Sequence, residues 1–205
     1  MARPQMGDER REQILAAFEA CVMRAGLAKT TLTDVASESG LPRSLVRYHI
    51  GNRAEMVDLL IDRMVERAED GVARLRPKER AMTTHDLVDV LFTNTFTNDV
   101  TNTVVNELWY LAERDDIMRD RLRAMYGRIT RMLTTQMEKD GLGSSPQARR
   151  DTAYAILSLT YGNEAFQFLG LQGGRRAAAL AAARTLVDTM ATEGIGTKTK
   201  KEKQK

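Results

Sequence analysis

Apolar residues recur at intervals of three and four along most of the chain, the period at which side chains stack on one face of an α-helix. Over residues 8–24 the stripe is Ile14, Phe18 and Val22, widened by Leu15 and with Cys21 beside it. Leu32, Val35 and Ala36 form a shorter stripe, and Leu45, Val46 and Ile50 form a third. Met56, Leu60 and Met64 open a fourth that runs toward Arg74. Further helices are predicted at 85–98, 100–114, 116–140, 147–170 and 174–193, broken at Asn98-Asp99, Asp115-Asp116, residues 141–146 and residues 170–174. The expected fold is all-α with about nine helices.

The polar residues between these stripes say where helices start and stop. Thr31 with Asp34 three residues on is a capping box, each side chain satisfying an orphan N–H of the first turn. Gly40 is suited to the left-handed conformation that ends a helix, and Pro42 presets the backbone for the next. The resulting turn has the length a helix-turn-helix requires. In its second helix Arg43, Ser44, Arg47 and Tyr48 project away from the apolar stripe, and these are residue types that bond phosphates and base edges. Asn52 with Glu55 signals the start of the long fourth helix.

Composition narrows the class. With 205 residues and 42% hydrophobic content there is ample material for a packed core, while 5% aromatics and four prolines favour helices over strands. The net charge of +3 suits a polyanionic partner, but part of the excess sits in Lys198, Lys200, Lys201, Lys203 and Lys205, so charge by itself decides little. A single cysteine makes no internal disulfide, and no stretch has the length of a signal peptide or a membrane span, so a cytoplasmic, membrane-free protein is expected. The polar segment 76–84, containing Pro77, divides the chain. The expected organisation is a helix-turn-helix domain at 1–52, a linking helix at 53–76, a helical domain at 77–193 and a basic tail at 194–205 without an apolar stripe and without structure. Catalysis finds little support. His49 and His85 fall in different predicted domains, there is no phosphate loop or H-E-x-x-H spacing, and Glu19, Asp115 and Asp116 read as acids of helix ends or solvated faces. No enzyme activity, metal or cofactor is expected.

The N-terminal fifty-odd residues resemble the TetR family of bacterial transcriptional regulators. The family pattern of T-T-x-x-D-I-A-x-x-A-G-V-S, an aromatic-rich recognition helix and a short polar link is matched here by Thr30-Thr31, Asp34-Val35-Ala36, Gly40-Leu41-Pro42, Tyr48-His49-Ile50 and Asn52-Arg53. Two positions depart from it. Pro42 replaces a capping Ser or Thr, and Arg47 replaces a phosphate-binding Tyr with a cation able to bind phosphate or guanine.

The resemblance implies an N-terminal three-helix DNA-binding domain and a C-terminal domain that binds small molecules and dimerises. It assigns Arg43, Ser44, Arg47 and Tyr48 to a major groove and its backbone, Thr31, Thr33 and Arg53 to phosphates, and His49 either to a phosphate or groove contact or to packing within the head. Candidates for the effector pocket are Phe92, Phe96, Asn106, Trp109, Tyr110, Met125, Asn163, Phe166 and Gln167. Glu107 with Trp109 and Tyr110 has the makings of a cation site, or is a solvated carboxylate beside a packed Trp. Residues 106–128 are also similar to the betaine-repressor subgroup. Tyr161 and Ala165 on one long helix, with Ala177, Leu180 and Ala181 on the next, are the expected homodimer face. The implied partners are a palindromic double-stranded operator, a small-molecule effector and a second copy of the chain, with effector binding moving the helix at 52–74. The competing reading is a helical small-molecule-binding or scaffold protein that reads no DNA sequence.

Overall fold

In a computed structural model, which describes residues 3–75, 79–92, 99–171 and 175–202, the chain is helical and the described residues contain no strand. The helices are α1 (Arg3–Ala25), α2 (Leu32–Ser39), α3 (Arg43–Ile50), α4 (Arg53–Leu75), α5 (Thr84–Val90), α6 (Asp99–Ala112), α7 (Asp116–Lys139), α8 (Pro146–Phe168) and α9 (Arg175–Glu202). The all-α expectation holds, with most boundaries within one or two residues of those predicted. α5 is shorter, because Leu91 and Phe92 continue as a wide π turn; residues 93–98 lie outside the described residues. α9 runs past Gly194, where a tail without structure was predicted. Lys and Glu favour helix and no Pro stops it, so the helix continues despite Gly194 and Gly196. None of the described helices is long and apolar enough to cross a membrane.

The helices fall into two compact units. One comprises Met1–Arg67 with Asp99–Met125, the other Ala68–Asn98 with Tyr126–Lys205. α4 and α7 therefore each contribute to both, and the division places α6 with the N-terminal helices, whereas sequence composition placed 77–193 in one domain.

In the first unit α1 packs on α2, α3 and α6. Ile14, Phe18, Leu27, Val35, Val46, Val57 and Leu60 are completely buried, each worth about 1.5 to 3 kcal/mol of transfer free energy. α6 adds Val104 and Leu108 to the buried set. Glu19 corrects the sequence reading. It is 7% exposed, and its carboxylate pairs with Arg63 Nε at 3.0 Å and Arg67 Nη1 at 2.8 Å on α4. A helix-by-helix pattern sees one acid, not the two cations that another helix brings to it.

The second unit is built on one apolar cluster in which Leu87, Val88, Leu91 and Phe92 meet Leu133 and Met137 of α7, Ile156 of α8, and Ala183 and Val187 of α9. Capping fixes its helix starts. Thr83 and Asp86 form a capping box at α5, and Ser145 Oγ accepts from Ala148 N at 3.1 Å ahead of Pro146 at α8. Asp140 at the end of α7 accepts from both the N–H (2.6 Å) and the hydroxyl (2.7 Å) of the fully buried Thr84. Gly143 suits the α7–α8 loop because its φ of +77° is a conformation that side-chain-bearing residues rarely adopt.

Candidate nucleic-acid interface

The turn between α2 and α3 forms through the interactions the sequence encodes. Thr31 N–H donates to Asp34 Oδ2 at 2.8 Å, and Asp34 N–H donates to Thr31 Oγ1 at 3.2 Å. The Thr31 hydroxyl, then its backbone N–H, holds the Asp34 carboxyl below the ordinary carboxylate range. Gly40 adopts φ +66°, and Leu41 N–H returns to Ala36 O at 3.1 Å, closing α2. Pro42 has no side chain with which to cap α3, and its carbonyl instead accepts from Leu45 and Val46. α3 thus starts at Arg43 despite the missing Ser or Thr. It stops at Gly51, where φ is +73° and a Cβ would lie 2.0 Å from Glu55 Oε2. That carboxylate accepts from Asn52 N–H at 2.6 Å, while Asn52 Oδ1 caps Ala54 and Glu55 to begin α4.

α3 is consequently a two-faced helix. Val46 and Ile50 are buried and Leu45 is half-buried, whereas Arg43, Ser44 and Arg47 are exposed and Tyr48 is 81% exposed. His49 is half-buried, its ring edge-to-face with Tyr48 at 5.2 Å between centroids. Several arginines of this unit pair internally, Arg24 with Glu38, Arg63 and Arg67 with Glu19, and Arg121 with Asp58. The guanidinium groups of Arg43 and Arg47 have no ion pair among the described residues. Two desolvation-ready cations and a phenol on one short exposed helix form a surface suited to a phosphate backbone and base edges.

Two predicted phosphate contacts are engaged within the protein. Arg53 Nη2 donates to Leu27 O at 2.7 Å, bracing the α1–α2 connection, and the Thr31 hydroxyl donates to Asp34 Oδ2 at 2.7 Å. Thr33 is exposed.

The expected effector residues separate. Asn163, Phe166 and Gln167 line a groove of about 330 Å³ between α8 and α9, together with Leu159, Arg175 and Arg176. Phe92 is completely buried in the core of the same unit, and Phe96 lies outside the described residues. Asn106, Trp109, Tyr110 and Met125 belong to the first unit, where Met125 is buried, Asn106 is exposed and Trp109 is 41% exposed. Glu107 is half-buried, and its carboxylate accepts from Leu27 N–H at 2.8 Å. The Tyr110 ring face is occupied by the Arg114 guanidinium at 5.1 Å.

Of the expected dimer residues, Ala177 and Ala181 are exposed, Tyr161 is 40% exposed, Ala165 is half-buried, and Leu180 packs against its own core. Tyr154, Leu169 and Leu171 are also large, apolar and exposed, and sequence reasoning missed them. Tyr154 and Tyr161, seven residues apart on α8, carry the signal that would have found the first.

No family model matches the chain. Solved structures share this all-α fold. A TetR transcription regulator from Haloarcula marismortui superposes with TM-score 0.73 at 18% identity, covering 89% of this chain and 98% of that one. The triclosan complex of SmeT superposes with TM-score 0.64 at 21% identity, covering 85% and 90%. The fold is that of TetR-family transcriptional regulators. In sequence, 71 residues are 38% identical to the HTH-type transcriptional regulator TtgR of Pseudomonas putida, a match that covers 35% of this chain and 33% of TtgR. The chain thus matches about a third of the length of that relative.

Proposed function

We propose that the protein is a ligand-responsive transcription regulator that acts as a homodimer and represses by occupying a palindromic operator until a small-molecule effector releases it. The observation that carries the reading is α3, whose exposed Arg43, Ser44, Arg47 and Tyr48 stand opposite the buried Val46 and Ile50 on a helix of helix-turn-helix geometry. A single helix of this length reads only a few base pairs, so two copies are required for a specific operator. The exposed face of α8 and α9 supports such pairing. Structural relatives described as the multidrug binding protein EbrR with imidazole, SmeT with triclosan, and a transcriptional regulator from Saccharomonospora viridis with choline support small-molecule control. An effector releases DNA only to the extent that it binds the DNA-free conformation more tightly.

The test is selection of a binding site from random duplex DNA, followed by salt-titrated affinity for the selected and an unrelated sequence. A regulator of this kind enriches an inverted repeat and discriminates by about a thousandfold or more. Equal affinity for both sequences at every salt concentration would reduce the head to an electrostatic DNA binder.

A further inference from the structure

We infer that Glu107 is a positioning residue for DNA reading, holding the helix-turn-helix at a fixed setting and thereby restricting which half-site spacings the protein accepts. The inference rests on the proposed regulator function and deepens it. Glu107 lies on α6, eighty residues along the chain from its partner, and accepts the N–H of Leu27 at 2.8 Å. Leu27 is completely buried, and its carbonyl accepts from Arg53 Nη2 of α4 at 2.7 Å. Both backbone polar groups of one residue are thus captured by side chains from two other helices. Gly26 allows the approach. It takes φ +81°, and a Cβ there would stand 3.2 Å from Glu107 Oε2. Thr30 closes the connection by donating both its N–H and its hydroxyl to Gly26 O.

Leu27 precedes Thr31, the cap of α2, by four residues, so whatever fixes Leu27 fixes the start of the reading pair. A second attachment supports the first. Arg121 of α7 makes a two-pronged ion pair with Asp58 of α4, Nε to Oδ1 at 2.6 Å and Nη2 to Oδ2 at 2.7 Å. The head is therefore fastened to α6 through Glu107 and, by way of α4, to the first turns of α7, all within one compact unit. Half-site spacing is a geometric property of how rigidly two heads are presented, and a charge-assisted hydrogen bond to buried backbone is a rigid fastening.

Glu107→Ala removes the acceptor, while Glu107→Gln keeps an oxygen in place. In the full-length protein, hydrogen exchange at the Leu27 amide is expected to be about tenfold faster or more in Glu107→Ala and to return most of the way toward the parent rate in Glu107→Gln. Against a library of the selected operator with its half-sites moved apart or together, the parent accepts a narrow range, and Glu107→Ala accepts spacings the parent rejects. Unchanged Leu27 exchange in a folded Glu107→Ala overturns the inference. So does faster exchange with an unaltered spacing range, which makes the bond purely structural. If Glu107→Ala does not fold, Glu107→Gln decides, because its weaker acceptor must broaden the range to a smaller degree. A parent that enriches no operator sinks the regulator reading and the spacing role with it, whereas an enriched operator with identical spacing ranges sinks only the role of Glu107.

Discussion

The carboxylate of Glu19 on α1 lies 3.0 Å from the Nε of Arg63 on α4, both side chains largely withdrawn from water. Arg67 adds a second cation at 2.8 Å, and Arg63 also reaches Glu12. Burying one carboxylate between two guanidiniums balances desolvation against strong mutual attraction, and the balance fails when one member is lost. Glu19→Ala is expected to destabilise the protein by about 3 kcal/mol, because Arg67 loses its carboxylate and the largely buried Arg63 keeps only the more exposed Glu12. Urea unfolding measures it. A midpoint within error of the parent would mean that water replaces Glu19 without cost.

Acid should act on the second unit through Asp86. Arg80 grips its carboxylate at 2.6 and 2.7 Å, and Thr83 adds backbone and hydroxyl hydrogen bonds. Chiefly through Arg80, these contacts hold the Asp86 carboxyl well below the usual carboxylate range. A folded-state pKa below the unfolded one means the stabilisation is complete above about pH 4 and is lost as pH falls below it. Asp86→Asn should therefore lower stability at pH 7 by about 1 to 2 kcal/mol, discounted for the exposure of Arg80, and by clearly less at pH 2, where part of the stabilisation is already lost. Equal losses at both pH values would assign the effect to capping alone.

Local signals were legible in the sequence wherever one segment carries its own information. The Thr31-Asp34 box, Gly40 and the Asn52-Glu55 cap each act within a few residues, and each is found where the sequence predicts it. Interactions between distant segments were not. Glu107 reads as a polar interruption of an apolar helix, and nothing near it reveals that its partner is Leu27. Arg53 resembles a phosphate contact because helix starts favour phosphate, yet the nearest acceptor is a carbonyl of the α1–α2 connection. Leu180 has the period of an interface residue and of a core residue at once, and periodicity cannot say which surface claims it.

The proposed dimer is best tested at Ala181, which is exposed, rather than at Leu180. Glu at this position is well tolerated by an isolated helix, so Ala181→Glu should leave the monomer folded. Against a two-fold mate it buries a carboxylate with no partner, at a cost of several kcal/mol. Sedimentation is expected to shift from dimer to monomer at micromolar concentration. A variant that stays dimeric would move the interface toward Tyr154 and Tyr161.

Arg47 and Arg53 should fail in different ways, and the contrast tests the interface more sharply than either variant alone. Arg47 is exposed on α3 with no internal ion pair among the described residues, so Arg47→Ala should leave the unfolding midpoint unchanged. Operator affinity is expected to fall by about 1 to 3 kcal/mol if Arg47 reads a base, or the salt slope to drop by about one if it binds phosphate. Arg53 donates to Leu27 O, so Arg53→Ala should lower stability by about 1 kcal/mol along with any loss of DNA binding. The paired measurement is denaturant unfolding beside a salt-titrated binding curve for each variant. Loss of stability in Arg47→Ala with operator binding retained would mean that α3 presents a different face to DNA than the one carrying Arg43, Ser44 and Tyr48.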